Sequence, residues 1–250
     1  MIAKPSTTRF SDRVEDYIKY RPPYPESLID VLKKAVNLRQ ETVIADIGSG
    51  TGISSILFLK NKNKVLGVEP NKEMREAAEQ LLHDHPNFIS VNGAAEQTTL
   101  SNKSIDLIFC GQAFHWFDKE KSKKEFKRIL REDGHIVLAW NERSTKSPFQ
   151  REYENALLEY IDEYKFVNHR NISEDEIANF FAPKQLHTIT LSNQQRLNLQ
   201  GLKGRLLSSS YCPKLGMVHN KLMNAMERIF RKYEQNGFIL FEYETKMYWC

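Results

Sequence analysis

A short apolar run followed by three closely spaced glycines constrains the fold of this chain more than any other feature of the sequence. The run Val43–Ile47 is typical of a buried β-strand, and Gly48, Gly50 and Gly52 follow it at alternate positions. An amphipathic helical pattern begins directly after this loop. Glycine at alternate positions permits a tight turn and lets the atoms of a ligand approach the backbone. The sequence therefore predicts a ligand-binding loop between a strand and a helix.

Strands and helices alternate through the middle of the chain. Asn71 and Asp118 each precede a helical pattern as N-cap residues do. The predicted strands cover residues 43–47, 65–68, 88–91, 105–110 and 136–140. Such an alternation predicts a parallel sheet with helices on both faces.

The two ends of the chain have a different pattern. Ser11 is a candidate cap of a first helix, the proline-rich segment 20–25 interrupts that helix, and Pro25 opens a second one. After Asn141 the sequence predicts helices over residues 149–181, a strand near 186–192 and an amphipathic helix through 217–230. The final segment, Phe238–Trp249, alternates apolar and polar side chains and predicts an antiparallel edge strand. The expected fold is an α/β, doubly wound, Rossmann-like, seven-stranded and mostly parallel sheet with an antiparallel edge strand and a helical lid insertion.

Composition excludes several other classes of protein. With 40% hydrophobic residues, 11 glycines and 9 prolines among 250 residues, the chain is neither disordered nor collagen-like. The three cysteines lie far apart with no CxxC pair, so neither a disulfide framework nor a metal site is expected. This use of cysteine favours a cytoplasmic location. The net charge of +4 comes without a one-sided basic tract, so nucleic acid is not the expected partner. No stretch approaches the ~20 apolar residues that cross a bilayer, so no membrane association is expected.

The residues around the glycine loop narrow the class of ligand. Ile53 stands where a dinucleotide-binding GxGxxG loop has its third glycine, and the lysine of a phosphate-binding loop is absent. Asp46 would repel a pyrophosphate but suits a ligand that carries an ammonium and a sulfonium. Glu69 ends the second strand, where a carboxylate can accept both hydroxyls of a ribose. S-adenosylmethionine combines these groups, whereas an ordinary glycine-rich turn and a surface glutamate are the alternative interpretations.

Four motifs in succession resemble those of class I S-adenosylmethionine-dependent methyltransferases. They are DIGSGTG, GVEPNKEM, NGAAE and SIDLIFCGQAFHWFD, and the resemblance covers about residues 10–145. FSDRVEDYIKYRPPYP and LLSSSYCP further resemble the small-molecule group, with a type 11 methyltransferase domain, that includes trans-aconitate methyltransferase-like proteins. The resemblance implies a single domain over 1–250, with cofactor-covering helices in 1–37, a cofactor-binding core in 38–143, a lid insertion in 144–185 and the last two strands with their helices in 186–250.

The resemblance also implies how the cofactor is held. Asp46 would stand near its amino group, and Glu69 would bind the ribose hydroxyls. Ala94 stands where many relatives carry Asp, so the usual side-chain contact to the adenine amine is missing and Glu96 is the candidate replacement. The implied cofactor-binding residues are Tyr17, Tyr20, Arg21, Asp46, Gly48, Ser49, Gly50, Thr51, Gly52, Glu69, Pro70, Met74, Ala94, Ala95, Glu96, Gly111 and Gln112. For Tyr17, Tyr20 and Arg21, simple packing of an N-terminal helix is the alternative.

The acceptor is expected beyond the fourth strand. His115 is the candidate catalytic base, although a carboxylate acceptor needs none, and satisfying a backbone group is the alternative role. The candidate substrate-binding residues are His115, Trp116, Trp140, Asn141 and Tyr211. Neither the Asn/Asp-Pro-Pro-Tyr/Phe motif of amino methylases nor the Pro-Cys dipeptide of cytosine methylases is present.

These observations predict a methyltransferase that moves a methyl group from S-adenosylmethionine to a small-molecule acceptor, with the carboxylate of an organic acid as a candidate. The chain is expected to act as a monomer or dimer. The alternatives are an RNA or protein methyltransferase, and a regulator that binds S-adenosylmethionine without catalysis.

Overall fold

A seven-stranded sheet forms the centre of the protein, for which a computed structural model describes residues 14–165 and 172–250. The strands are β1 (Val43–Ile47), β2 (Lys64–Val68), β3 (Phe88–Val91), β4 (Ile105–Gly111), β5 (Leu130–Arg143), β6 (His187–Leu197) and β7 (Ile239–Trp249). Their order is β3-β2-β1-β4-β5-β7-β6, parallel from β3 to β5 and antiparallel where β7 pairs with β5 and β6. The predicted fold class is confirmed.

Nine α-helices are found in the described part of the chain. They are α1 (Val14–Tyr20), α2 (Ser27–Ala35), α3 (Ser55–Lys60), α4 (Lys72–Leu81), α5 (Lys119–Ile129), α6 (Pro148–Tyr160), α7 (Glu174–Phe181), α8 (Leu199–Leu207) and α9 (Met217–Tyr233). The predicted caps Asn71 and Asp118 accept hydrogen bonds from the backbone N–H groups of Met74 and Lys121. No helix among the described residues is long and apolar enough to span a membrane.

Helices cover both faces of the parallel strands, as the alternation in β1 shows. Ile44 is fully buried in a cluster with α2 and α3, whereas Ala45 and Ile47 are buried on the other face with α5 and α7. The carboxyl ends of β1, β2, β4 and β5 therefore stay uncovered by these helices and can border a binding site.

The segment predicted as a lid insertion contributes to two different cores. Phe149 and Tyr153 of α6 are buried in a cluster with α8, α9 and the first half of β7. Phe180 and Phe181 of α7 instead pack against α5 on one face of the sheet. The aromatic side chains of α6 pack in or against this core, whereas Phe166 and Ser11 lie outside the described residues. A lid insertion over 144–185 stays a prediction.

Two details differ from the sequence prediction. The prediction of an edge strand at Phe238–Trp249 is wrong in position, because β7 lies between β5 and β6, and β6 is the edge. Alternation along β7 arises because its two faces differ in burial, which happens in a central strand as well as at an edge. The second helix also begins later than Pro25, with Ser27 as its first residue.

Candidate cofactor and acceptor site

A cavity of about 250 Å³ opens at the carboxyl ends of the parallel strands. Gly48 after β1, Glu69 after β2, Ala94 after β3, Gly111 at the end of β4 and Asn141 near the end of β5 all line it. Parallel strands bring their carboxyl ends to one edge, so residues far apart in the sequence meet there. The loops that were predicted to bind the cofactor therefore line one cavity.

The glycine loop after β1 has a left-handed backbone at each of its three glycines. The φ angles are +71° at Gly48, +55° at Gly50 and +85° at Gly52, a region that side chains disfavour. A Cβ atom at Gly48 would lie 2.6 Å from Ala113 Cβ, and one at Gly52 would lie 2.6 Å from Leu82 Cδ1. Nothing lies within 4 Å of a Cβ position at Gly50. Gly48 and Gly52 therefore allow close packing, whereas Gly50 leaves space for a ligand.

Asp46 lies behind this loop and does not line the cavity. Its Oδ2 accepts hydrogen bonds from the hydroxyls of Ser54 (2.7 Å) and Ser55 (2.6 Å), and its Oδ1 has no partner among the described residues. Burial raises the pKa of Asp46 to about 6, although the serine hydroxyls act in the opposite direction. The carboxylate ties the loop to the start of α3 instead of facing the cavity. Thr51 and Gly52 do not line the cavity either.

Glu69 both lines the cavity and holds the loop in place. Its Oε2 accepts from the backbone N–H of Gly50 and its Oε1 from that of Asn71, each at 2.9 Å. Burial raises the pKa of Glu69, and the two backbone donors oppose this. Each carboxylate oxygen has a second lone pair, so the group retains the capacity to accept two hydroxyl protons. This arrangement fits the predicted contact with a ribose.

The loop after β3 lines the cavity, but some of its polar groups are already hydrogen-bonded within the protein. Pro70, Met74, Ala94, Ala95 and Glu96 all line the cavity, as the adenine-binding side requires. The backbone N–H and C=O of Ala94, however, pair with Gln97 at 3.1 and 3.0 Å. One oxygen of Glu96 accepts the backbone N–H of Asp118 at 2.8 Å. The resemblance implies that the backbones of Ala94 and Ala95 contact the adenine edge. The Ala94 backbone and one oxygen of Glu96 already have partners within the protein.

The N-terminal segment closes one side of the cavity. Tyr17 and Arg21 line it, whereas the ring of Tyr20 lies outside it, so close to α8 that a Cβ at Gly204 would be 2.1 Å from Tyr20 Cε2. The carbonyl of Tyr20 accepts from Gln195 Nε2 at 3.3 Å. The segment is thus attached to β6 and α8, and its role as a cover over the cofactor stays a prediction.

Three arginines form the part of the cavity wall next to α8 and the residues that follow it. Arg21 donates to the carbonyl of Ser208 at 2.9 Å, and its Nε is buried without a hydrogen-bond partner among the described residues. Arg143 pairs with Glu154 at 2.8 Å, with side chains only 8% and 14% exposed. Arg205 is 5% exposed and donates from Nε to the hydroxyl of Tyr243 at 3.0 Å. All three arginines line the cavity.

The charges of these arginines act on one another and on Tyr211. The pKa of Arg21 is lowered by burial and then by the charge of Arg205. Burial alone would raise the pKa of Tyr211, but Arg143, Arg205 and Arg21 outweigh burial and lower it. The Tyr211 hydroxyl accepts from Arg143 at 3.1 Å. The wall therefore carries a concentrated positive potential.

The remaining acceptor candidates divide between the cavity and the core. His115 and Trp116 line the cavity from a 3₁₀ turn over Phe114–Trp116, their rings 4.5 Å apart. Asn141 lines it too, whereas Trp140 packs edge-on against Phe114 and Tyr248 in the core, 6.3 and 5.9 Å between ring centres. The placement of Trp140 in the acceptor pocket is corrected, because neighbouring residues of a strand point to opposite faces.

Sequence reasoning missed several lining residues. Gly111 and Gln112 line the cavity, but no site role was predicted for the following members of the wall, although four of them lie within the quoted motifs: Tyr24, Ile53, Ser54, Asn71, Ala113, Phe117, Arg143 and Arg205. Among residues 14–165 and 172–250, no group of three or more His, Cys, Asp or Glu side chains could hold a metal ion.

Comparison with protein families decides the class of the central region. Residues 45–138 match the family model described as a methyltransferase domain. This chain contains a methyltransferase domain. The predicted recognition of the methyltransferase family, with S-adenosylmethionine as the cofactor used, is confirmed at the level of this domain. The methyltransferase domain contains the glycine loop, Glu69 and His115, and it ends before Asn141.

Relatives and solved structures agree with this assignment. An uncharacterized methyltransferase of Schizosaccharomyces pombe is 30% identical over 141 residues, which is 56% of this chain and 55% of that protein. One of Mycobacterium tuberculosis H37Rv is 32% identical over 143 residues, 57% and 56% of the two chains. The match thus spans little more than half the length of these curated relatives.

Two solved structures show the same fold over nearly the whole chain. One, from Anabaena variabilis and described as a methyltransferase from an antibiotic biosynthesis pathway, superposes with a TM-score of 0.66 at 23% identity over 92% of this chain and 98% of that one. The YcgJ protein of Bacillus subtilis has a TM-score of 0.56 at 22% identity, over 88% and 96% of the chains. The regions outside the methyltransferase domain therefore belong to the same architecture.

Proposed function

We propose that this chain transfers a methyl group from S-adenosylmethionine to a carboxylate oxygen of a small organic acid in the cytoplasm. The observation that carries the proposal is a single cavity with two unlike walls. One wall holds Gly50 and Glu69 of the methyltransferase domain, and the other holds Arg21, Arg143 and Arg205. A nucleoside suits the first wall and an acid suits the second.

The residues of the first wall fit the cofactor. Gly50 leaves open space beside a backbone that a ligand can approach, and Glu69 keeps lone pairs for two hydroxyls. Pro70 and Met74 offer apolar surface where the resemblance places adenine. When bound, S-adenosylmethionine supplies a methyl group on a sulfonium, which is a good leaving group.

The second wall would orient the acceptor and needs no base for this reaction. A guanidinium binds a carboxylate with paired N–H donors, which fixes the direction of its oxygens. A carboxylate is already ionised at neutral pH, so His115 and Tyr211 have only to position it and exclude water. This division of tasks supports an acid over an alcohol or amine, which would have to lose a proton.

The proposal is tested first by binding and then by turnover. Calorimetric titration with S-adenosylhomocysteine, with NAD and ATP as controls, should show selective micromolar binding that Glu69→Ala weakens by ~1–3 kcal/mol. Mass spectrometry should then detect methyl esters in a panel of mono-, di- and tricarboxylic acids. Methylation of RNA or protein without any ester would replace this proposal with the corresponding alternative.

A regulator without catalytic activity is the second candidate. The pairing of both Ala94 backbone groups with Gln97 motivates it, because a contact expected for the cofactor is occupied within the protein. Tight binding of S-adenosylmethionine with no product from acids, RNA or protein would favour this candidate.

A further inference from the structure

Two of the three arginines in the cavity wall have no acidic partner among the described residues. The third, Arg143, contacts Glu154. Arg21 uses one N–H donor on a backbone carbonyl. Arg205 uses two, on the hydroxyls of Tyr243 and Ser209 at 3.0 and 3.3 Å. A guanidinium has five N–H donors, so most of those on Arg21 and Arg205 remain for a ligand.

Arg143 differs because Glu154 already neutralises it. Besides the contact with Arg143, both oxygens of Glu154 accept from the hydroxyl of Tyr164, at 2.8 and 3.0 Å. The Arg143 guanidinium also donates to that hydroxyl. Arg143, Glu154 and Tyr164 thus form a compact group that carries no net charge when Tyr164 is protonated. An anion placed beside Arg143 would also lie beside Glu154 and be repelled.

The empty cavity disfavours the charge of Arg21. Burial lowers the pKa of Arg21 and the charge of Arg205 lowers it further, whereas nearby tyrosines raise the pKa of Arg205 despite its burial. An anion that enters the cavity beside both arginines adds the counter-charge that Arg21 lacks. Buried charges that lack a partner within the protein are typical of sites that bind a charged ligand.

We propose that Arg21 and Arg205 bind an acceptor that carries two negative charges, and that Glu154 determines specificity by cancelling the third positive charge at Arg143. The acceptor class is therefore a dicarboxylic acid, in preference to mono- or tricarboxylic acids of similar size. This inference rests on the proposed function for the reaction itself, but the binding preference stands independently of turnover.

The transfer step is balanced without a base. A carboxylate oxygen forms a bond to the methyl carbon, the bond from carbon to sulfur breaks, and its electron pair goes to sulfur. The sulfonium becomes a neutral thioether and the dianion becomes a monoanionic ester. No proton moves. The product has one charge fewer for the two arginines to hold, so it binds more weakly than the acceptor.

Calorimetry on the full chain saturated with S-adenosylhomocysteine tests the preference. The probes are butyrate, succinate and propane-1,2,3-tricarboxylate, which carry one, two and three carboxylates on short chains. Succinate should bind at least tenfold more tightly than the other two. Equal affinity for all three, or tightest binding of the tricarboxylate, would overturn the inference.

Two variants assign the preference to its residues. Arg205→Met should reduce succinate binding at least tenfold, to the level of butyrate, whereas Arg196→Met on the exposed side of β6 should leave succinate binding unchanged. Glu154→Gln should shift the ratio of tricarboxylate to succinate affinity at least tenfold toward the tricarboxylate. Glu159→Gln, an exposed acid on the same helix, is its control. An unchanged ratio in folded Glu154→Gln would remove Glu154 from this role.

The readouts separate this inference from the proposed function. If succinate binds preferentially but no ester forms with any acid, the proposed function fails and the binding inference stands. If esters form equally well from all three probes, the function stands and the inference fails. Thermal unfolding and S-adenosylhomocysteine binding show whether Glu154→Gln folds. If it does not fold, the affinities of the unaltered chain for the three probes still test the preference for two carboxylates.

Discussion

Replacing Glu69 by glutamine should weaken cofactor binding more than it destabilises the fold. The carboxylate now accepts two backbone N–H groups, from Gly50 and Asn71, at 2.9 Å each. Glutamine has one acceptor oxygen and one amide that only donates, so one of these N–H groups loses its partner. A lost hydrogen bond to a charged group costs about 1.5–3 kcal/mol.

Burial offsets part of this cost in the free protein. The pKa of Glu69 is raised by desolvation, which means that the folded state disfavours its charge. Removing the charge recovers some of that penalty, so we expect a net loss of about 1 kcal/mol in the free energy of unfolding. The hydrogen bonds that the ribose hydroxyls donate to Glu69 are lost without a comparable gain. Affinity for S-adenosylhomocysteine should therefore fall about 10- to 100-fold.

Denaturant unfolding of the free protein and calorimetric titration with S-adenosylhomocysteine measure the two effects separately. The control is Glu76→Gln on α4, whose carboxylate is 53% exposed and pairs with Lys72 at 3.6 Å. It should change neither quantity by more than about 0.5 kcal/mol. Normal affinity in a Glu69→Gln variant that is destabilised would show that Glu69 anchors the loop and does not touch the cofactor, which would refute the reasoning.

Three further substitutions give distinct outcomes. Because burial raises the folded pKa of Asp46 from 3.8 to about 6, its contribution to stability is present below pH 4 and lost by pH 7. Urea unfolding should therefore favour Asp46→Asn over the unaltered chain by about 2 kcal/mol more at pH 7 than at pH 4, and a difference independent of pH would contradict this. Gly204→Ala should displace the ring of Tyr20 and expose α1 to proteolysis, with roughly tenfold weaker S-adenosylhomocysteine binding, while Gly201→Ala on the same helix should not. His115→Ala should lower turnover less than about tenfold and leave the pH profile unchanged, because a carboxylate acceptor needs no base, whereas a loss near a thousandfold would identify a general base.

The parts of the site that follow a strand directly could be predicted from the sequence. A glycine loop after β1 and an acidic residue after β2 are local patterns, and parallel strands bring their carboxyl ends together whatever the details of packing. Gly50 and Glu69 accordingly line the same cavity. The caps at Asn71 and Asp118 are local as well, since each depends on a side chain and a backbone N–H three residues on.

The parts of the site that depend on long-range packing could not be predicted from the sequence. Trp140 and Asn141 are neighbours, and which one faces the cavity is set by the pairing of β5 with β7 near residue 245. Arg205 reaches the cavity because α8 packs on β7, where Tyr243 accepts its Nε–H. Periodicity and spacing within one element do not predict contacts of this kind, because the partners belong to separate helices and strands.

All three arginines of the cavity wall lie outside the residues that match the methyltransferase family model. Arg21 precedes residues 45–138, and Arg143 and Arg205 follow them. In the proposed function, Gly50 and Glu69 of the cofactor wall and the arginines of the acceptor wall therefore come from separate stretches of the chain. Under that proposal, a relative can keep residues 45–138 and still take a different acceptor, because substitutions at the three arginines leave Gly50 and Glu69 unaltered.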